Sequence, residues 1–302
     1  MRVSRTLLLV VLAALLLGCE EDVAGPDPFQ YPYSMWGVLN PLADTQFVRV
    51  FPIEPLLEPG RPEPLDVRFT SLDLDTGEER LWRDSVFVDS TGQVGHVFYA
   101  PFRVAWDHRY RVTITRDDGA ATWAEVHIPE RALLILEEPD TTREVILPAR
   151  IEGEARNLIQ SEVEIYVSYV VGFSPPPIAV PIFAFYRHYI PFDTNLRRTV
   201  DGWTFAINLT RSYYPVFGSV TEDSNFIVDE GIRLLTVTFR TVVADDAWMP
   251  PGGVFDPNVL IQPGTMSNVE NGFGFIGGGY ELSRSWTLPF EVVEQTDYLP
   301  NR

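Results

Sequence analysis

From about Tyr31 onward, apolar and polar residues alternate with a period of two along much of this chain. Tyr110, Val112 and Ile114 fall on one side; Arg109, Arg111, Thr113 and Thr115 fall on the other. Asp117-Asp118-Gly119 then turns the chain, and Thr122, Ala124, Val126 and Ile128 alternate with Trp123, Glu125 and His127. That period predicts a hairpin covering a core on one face. Gln46–Phe51 is rich in β-formers, Val67 and Phe69 alternate with polar neighbours, and turn signals stand at Asp75-Thr76-Gly77 and Ser90-Thr91-Gly92. Five or more short strands in about a hundred residues predict a small sandwich of immunoglobulin-like or transthyretin-like shape.

The texture changes across Pro129–Thr142, which places a domain boundary between residues 133 and 134. Beyond it, Val163, Ile165, Val167 and Tyr169 face away from Glu164 and Ser168, and Leu235, Val237, Phe239 and Val243 face away from Thr236, Thr238 and Arg240. Trp203–Leu209 and Trp286–Phe290 read as further strands. No segment predicts an amphipathic helix of about twelve or more residues; a short helical turn is expected around Glu222–Asp229. The expected fold class is all-β, with two β-sandwich-like domains at 31–133 and 134–302.

Ahead of these strands the pattern breaks. Arg2 and Arg5 precede an unbroken apolar run, Leu7–Leu17, which ends in Gly18-Cys19. The run is far short of the ~20 residues of a membrane span, so it predicts a secretory leader at 1–18. Its ending resembles a bacterial lipobox, with Cys19 as the lipidated first residue of the mature chain. Residues 19–30, with Glu20, Glu21, Asp22, Gly25, Pro26 and Pro28, read as an acidic, Pro-containing tether between membrane and domain.

Composition sharpens this picture. The formal net charge is −19, and losing Arg2 and Arg5 with the leader makes it more negative, so the overall field repels phosphate backbones and anionic lipid, and nucleic acid is not an expected partner. Cys19 is the only cysteine, which excludes internal disulfides, thiol catalysis and cysteine-rich metal sites.

The usual catalytic spacings are absent: no His-Glu-x-x-His, no Gly-x-Ser-x-Gly, no phosphate loop with lysine. His96, His108, His127 and His188 are scattered and read as surface or satisfied residues. Asp73-Leu74-Asp75 begins like a calcium loop, but Glu78 and Asp84 stand where Gly and Glu are required, so hairpin chemistry explains it better. No cofactor and no metal are expected. The most unusual stretch is Gly172–Phe192: Pro175–Pro177 exclude a central strand there, and the stretch reads either as a loop and strand folded into the core of the second domain or as a candidate aromatic binding surface for a partner protein or a sugar, made by Phe185, Tyr186, His188 and Tyr189 beside Phe183 and Arg187. In Asn268–Gly279, glycines interleaved with aromatics predict backbone held close to another strand, or a bulged turn.

That last run, Asn268-Val269-Glu270-Asn271-Gly272-Phe273-Gly274-Phe275-Ile276-Gly277-Gly278, resembles the closing motif of the bacterial lipoprotein family catalogued as domain of unknown function four-two-four-nine. Trp36–Leu39 followed by Gln46–Val50 is similar to that family's opening strand pair. The resemblance implies a lipoprotein associated with outer-membrane TonB-dependent receptors, and it supplies no catalytic residues. The expected function is therefore non-enzymatic: an outer-membrane, lipid-anchored binding or adaptor protein held by Cys19, with an outer-membrane receptor as partner. The alternatives are a surface glycan hydrolase using two carboxylates about 5–10 Å apart, and a structural envelope spacer.

Overall fold

A computed structural model describes residues 32–53, 62–88, 90, 92, 94–173, 178–189, 196–222, 227–248 and 267–301. The leader, Cys19, the tether and Pro175–Pro177 lie outside the described residues.

Among the described residues the N-terminal half forms eight strands: β1 (Tyr33–Leu39), β2 (Gln46–Pro52), β3 (Val67–Asp73), β4 (Glu79–Leu81), β5 (Arg83–Val88), β6 (Val94–Ala100), β7 (Arg109–Arg116) and β8 (Ala121–His127). The hairpin legible in the sequence is β7–β8, paired from Arg109–His127 to Thr115–Ala121, with Gly119 at φ 86° closing its turn. The C-terminal half supplies β9 (Leu133–Leu136), β10 (Ile146–Glu152), β11 (Asn157–Phe173), β12 (Ile178–Tyr189), β13 (Arg197–Thr199), β14 (Gly202–Asn208), β15 (Ile227–Ala244), β16 (Val269–Glu270) and β17 (Gly272–Trp286). The protein is all-β, built as two sandwiches.

One eight-stranded sheet, in the order β12-β11-β15-β17-β1-β2-β6-β5, serves both. Its β17-β1-β2-β6-β5 part faces a five-stranded sheet, β16-β8-β7-β3-β4; its β12-β11-β15-β17 part faces a four-stranded sheet, β13-β14-β10-β9. Alternation explains the two cores. Met35, Val48, Val50, Val112, Ile114 and Ile128 are wholly buried in the first, and Leu147, Val167, Val237, Phe239 and Val243 in the second. Removing such side chains from water contributes roughly 1.5–3 kcal/mol each, before the entropy of ordering them.

The joint between the halves is β17. Its first half pairs parallel with β1, from Tyr33–Gly272 to Leu39–Gly278, and its second half pairs antiparallel with β15. Val269 and Ile276 belong to the first core although they lie in the C-terminal half of the chain. The glycine run makes this possible. A Cβ on Gly278 would stand 2.2 Å from the His127 carbonyl oxygen, and one on Gly274 (φ +109°) 2.1 Å from the Met35 carbonyl oxygen.

Three local expectations need correction. A fourteen-residue helix spans Leu209–Glu222, earlier than the expected turn, and Ile227 onward is strand. The Asn208 side chain caps it, accepting from the Arg211 amide at 2.9 Å, and Leu209 and Val216 are buried on one face. Pro215, Gly218 and three aromatic side chains disguise it, since all lower helix propensity. Trp286 is the last residue of β17, and Phe290–Val293 is a helical turn instead of a strand. Register also slips between Tyr166 and Val167, so Leu234, not Leu235, fills the core position.

Candidate functional site

Strand β12 is at one end of the eight-stranded sheet and pairs, among the described residues, only with β11. Successive β12 side chains therefore alternate between the core and solvent. Ile182, Ala184 and Tyr186 pack against the second core, while Phe183 and Phe185 are each 60% exposed on the outer face. Tyr166 stands directly across from Phe185 in the register. Its ring stacks on Phe185 at 4.2 Å and 14°, and lies 6.2 Å from Phe183.

Of the four residues expected to form a surface, Phe185 is on this aromatic plate and Tyr186 is on the opposite face, against the core. His188 and Tyr189 have their backbone in β12; their side chains lie outside the described residues. Phe183 and Tyr166 complete the plate. Tyr166 was legible only as the polar-side neighbour of Ile165 and Val167, because nothing in β11 alone says which β12 residue it meets.

Beside the plate the outer face turns polar. Thr236 is registered with Tyr166, and the Thr238 and Ser285 hydroxyls are 2.8 Å apart. Glu164, one pair along, is buried and lies 3.4 Å from Arg240 Nη2. The plate offers rigid apolar area flanked by hydroxyls, a composition suited to gripping a partner with little loss of side-chain entropy.

Three histidines prove to be carboxylate-paired. His96 Nδ1 is 2.8 Å from Asp84 Oδ2 in a buried pair, His108 Nδ1 is 2.8 Å from Asp73 Oδ2, and His127 Nε2 is 3.0 Å from Asp107 Oδ1. Asp73, Asp75 and His108 bring three ligand-type atoms within 4.8 Å of one another. Both carboxylates already accept hydrogen bonds within the turn. Asp73 Oδ1 accepts from the Asp75 and Thr76 amides at 2.9 and 3.1 Å, and Asp75 Oδ2 accepts from the Arg109 amide at 2.7 Å. Burial pushes the Asp73 carboxyl up, but the His108 contact and the two turn amides outweigh it and hold the group down at about 2. The Arg109 guanidinium, 4.0 Å from Asp75, adds a positive charge where a cation would bind. These contacts do the work of the hairpin turn anticipated there.

A hollow of about 80 Å³ lies between Trp286, Leu288 and Pro300, well below the ~300–1,000 Å³ of small-molecule pockets.

No family model matches the chain, and no curated protein matches it. Among solved structures, the C-terminal globular domain of an oligosaccharyltransferase from Pyrococcus abyssi is similar at 6% identity and a TM-score of 0.18. The match covers 68% of this chain and 45% of that one, so the chain spans under half the length of the structure it matches.

Proposed function

We propose that this chain is a non-enzymatic binding protein of the outer membrane, anchored through a lipid on Cys19, that holds an outer-membrane receptor through the plate formed by Tyr166, Phe183 and Phe185. The observation that carries the reading is that two phenyl rings, each 60% exposed, sit stacked on a tyrosine along a terminal strand. A terminal strand bearing apolar rings is a template for association unless something covers it, and strand addition beside aromatic anchors is a recurrent recognition mode. The resemblance of the Asn268–Gly278 run to a receptor-associated lipoprotein family supports the same class of partner.

The test is retrieval from cells after mild crosslinking, comparing the native chain with F183S/F185S. Both positions face solvent, so the variant keeps its fold. The native chain is expected to bring down one membrane protein reproducibly and the variant to lose it. Equal recovery by both chains would remove the plate from the function. Turnover of a glycan by the native chain, abolished by a single carboxylate substitution, would replace binding with catalysis.

A further inference from the structure

The opposite end of the same sheet carries a second aromatic face. On β1, β2, β6 and β5 the inward side chains fill the first core, which leaves Trp36 and Val38, Phe47, Arg49 and Phe51, Val97 and Tyr99, and Arg83, Ser85 and Phe87 pointing outward. The register sets Val38, Phe47, Tyr99 and Arg83 in one row and Trp36, Arg49, Val97 and Ser85 in the next. Phe47 is 55% exposed, Val38 40% and Phe87 38%. The Phe87 ring lies flat over Gly95, where a Cβ would meet it at 2.3 Å.

Charge separates this face from the rest of the molecule. The chain has 42 acidic residues, yet none stands among these outward positions. Both charged groups are arginines. Arg49 lies 4.5 Å from the Phe51 ring and 5.7 Å from the Phe87 ring, so its guanidinium sits against aromatic surface on this face. A flat surface of Trp, Tyr, Phe and Val studded with arginine and cleared of carboxylates matches the chemistry of the headgroup region, where amphipathic rings and guanidinium groups sit beside lipid phosphates. A second copy of this chain fits less well, because its matching face would oppose arginine to arginine.

Chain length points the same way. Cys19 precedes Tyr33, the first residue of β1, by 14 positions, a reach of at most roughly 50 Å fully extended. We propose that the outer face of β1, β2, β6 and β5 lies on the phospholipid bilayer that holds the Cys19 lipid. The proposal takes the anchor from the reading above and assigns the two ends of the sheet different occupants: membrane at one, receptor at the other.

The experiment is vesicle flotation of the mature chain carrying Cys19→Ser, which has no lipid. Vesicles are phosphatidylcholine with and without phosphatidylglycerol. Removing the acyl group makes the result independent of whether Cys19 is acylated in cells, and using no receptor makes it independent of the plate. The chain is expected to float with vesicles containing phosphatidylglycerol. F47S/F87S should lower that partition about tenfold or more, since each ring withdraws apolar area from water, and R49E should lower it on the anionic vesicles in particular. Y214S, which removes a 71% exposed ring from the helix, is the matched control and should float like the parent. Unchanged melting temperatures establish that the variants are folded. A parent chain that stays with the unfloated fraction, or an F47S/F87S chain that floats as well as the parent, overturns the proposal. So does a photocrosslinker at position 47 that captures polypeptide and no lipid in native membranes.

Discussion

The side-chain amide of Asn268 pairs with both backbone groups of Ile276: Nδ2 donates to the Ile276 carbonyl at 2.7 Å, and Oδ1 accepts from its amide at 3.0 Å. A side chain here does what a neighbouring strand would do, eight residues before the strand centre that joins the two sandwiches. Asn268→Ala should therefore lower stability by about 2–3 kcal/mol, because it removes two hydrogen bonds and leaves buried backbone groups without partners. Asn268→Asp should be worse, since a carboxylate oxygen would oppose the Ile276 carbonyl. Urea unfolding of the three chains checks the order; an alanine variant within about 0.5 kcal/mol of the parent would show that water replaces the pair.

Gly278→Ala meets a harder obstacle. The nearest atoms to the new Cβ are backbone atoms of His127 and Ile128, at 2.2–3.1 Å, and these cannot rotate away as a side-chain tip can. A loss of about 3 kcal/mol or more, or failure to fold, is expected. Gly218→Ala is the counterpart, with nothing within 4 Å of the added methyl inside the Leu209–Glu222 helix. It should raise stability by about 0.5–1 kcal/mol. Thermal unfolding of both variants against the parent decides whether close approach or chain entropy governs each glycine.

The same residues show what could be seen in the sequence. Alternation alone gave the faces of β7, β8 and β11, because a side-chain period of two needs no knowledge of the partner strand. The crowded glycines of Asn268–Gly279 announced a close backbone approach for a local reason, the missing Cβ. Hidden were relationships set by long-range pairing. Nothing near Gly272 says that its strand runs parallel to β1, more than two hundred residues away in the chain, and nothing in Phe185 names Tyr166 as its partner. The Leu209–Glu222 helix was obscured because its proline and aromatics argue locally against the state that the buried Leu209 and Val216 enforce. The surface expected at Phe185 and Tyr186 failed at Tyr186 for the simplest reason: adjacent strand residues point to opposite faces.

Asp73 predicts the acid limb of the stability curve. Its carboxyl titrates at about 2 in the folded chain, against an ordinary value near 3.8, so the unfolded chain binds more protons in between. Its contribution, about 2–3 kcal/mol at order of magnitude, is present above pH ~4 and lost as the pH falls through ~2. Asp73→Asn removes that dependence. The stability gap between parent and variant should close as the pH is lowered from 4 to 2; a gap that stays constant would mean the turn is held by its backbone bonds alone.

Asp245 predicts the opposite limb. It is 3% exposed, and burial raises its carboxyl to about 6 despite amide bonds from Gly278 at 2.6 Å and Ala247 at 3.0 Å. Here the folded chain binds the extra proton between pH ~4 and ~6, so the slope of stability with pH is negative. The contribution is fully present below the unfolded value and is lost as the pH rises through the folded one, about 3 kcal/mol in all. Asp245→Asn cannot ionise, but it turns an amide donor toward one of the two backbone amides, so it should be less stable than the parent at pH 4. As the pH rises to 7 the parent should lose most of that advantage while the variant stays level. Because Asp245 follows β15 and binds Gly278 on β17, the region that loosens should be the seam between the sandwiches, and the Gly278 amide should gain hydrogen exchange before the amides of β7. Exchange that accelerates in β7 first, or a parent–variant difference that does not narrow between pH 4 and 7, would place the pH sensitivity elsewhere.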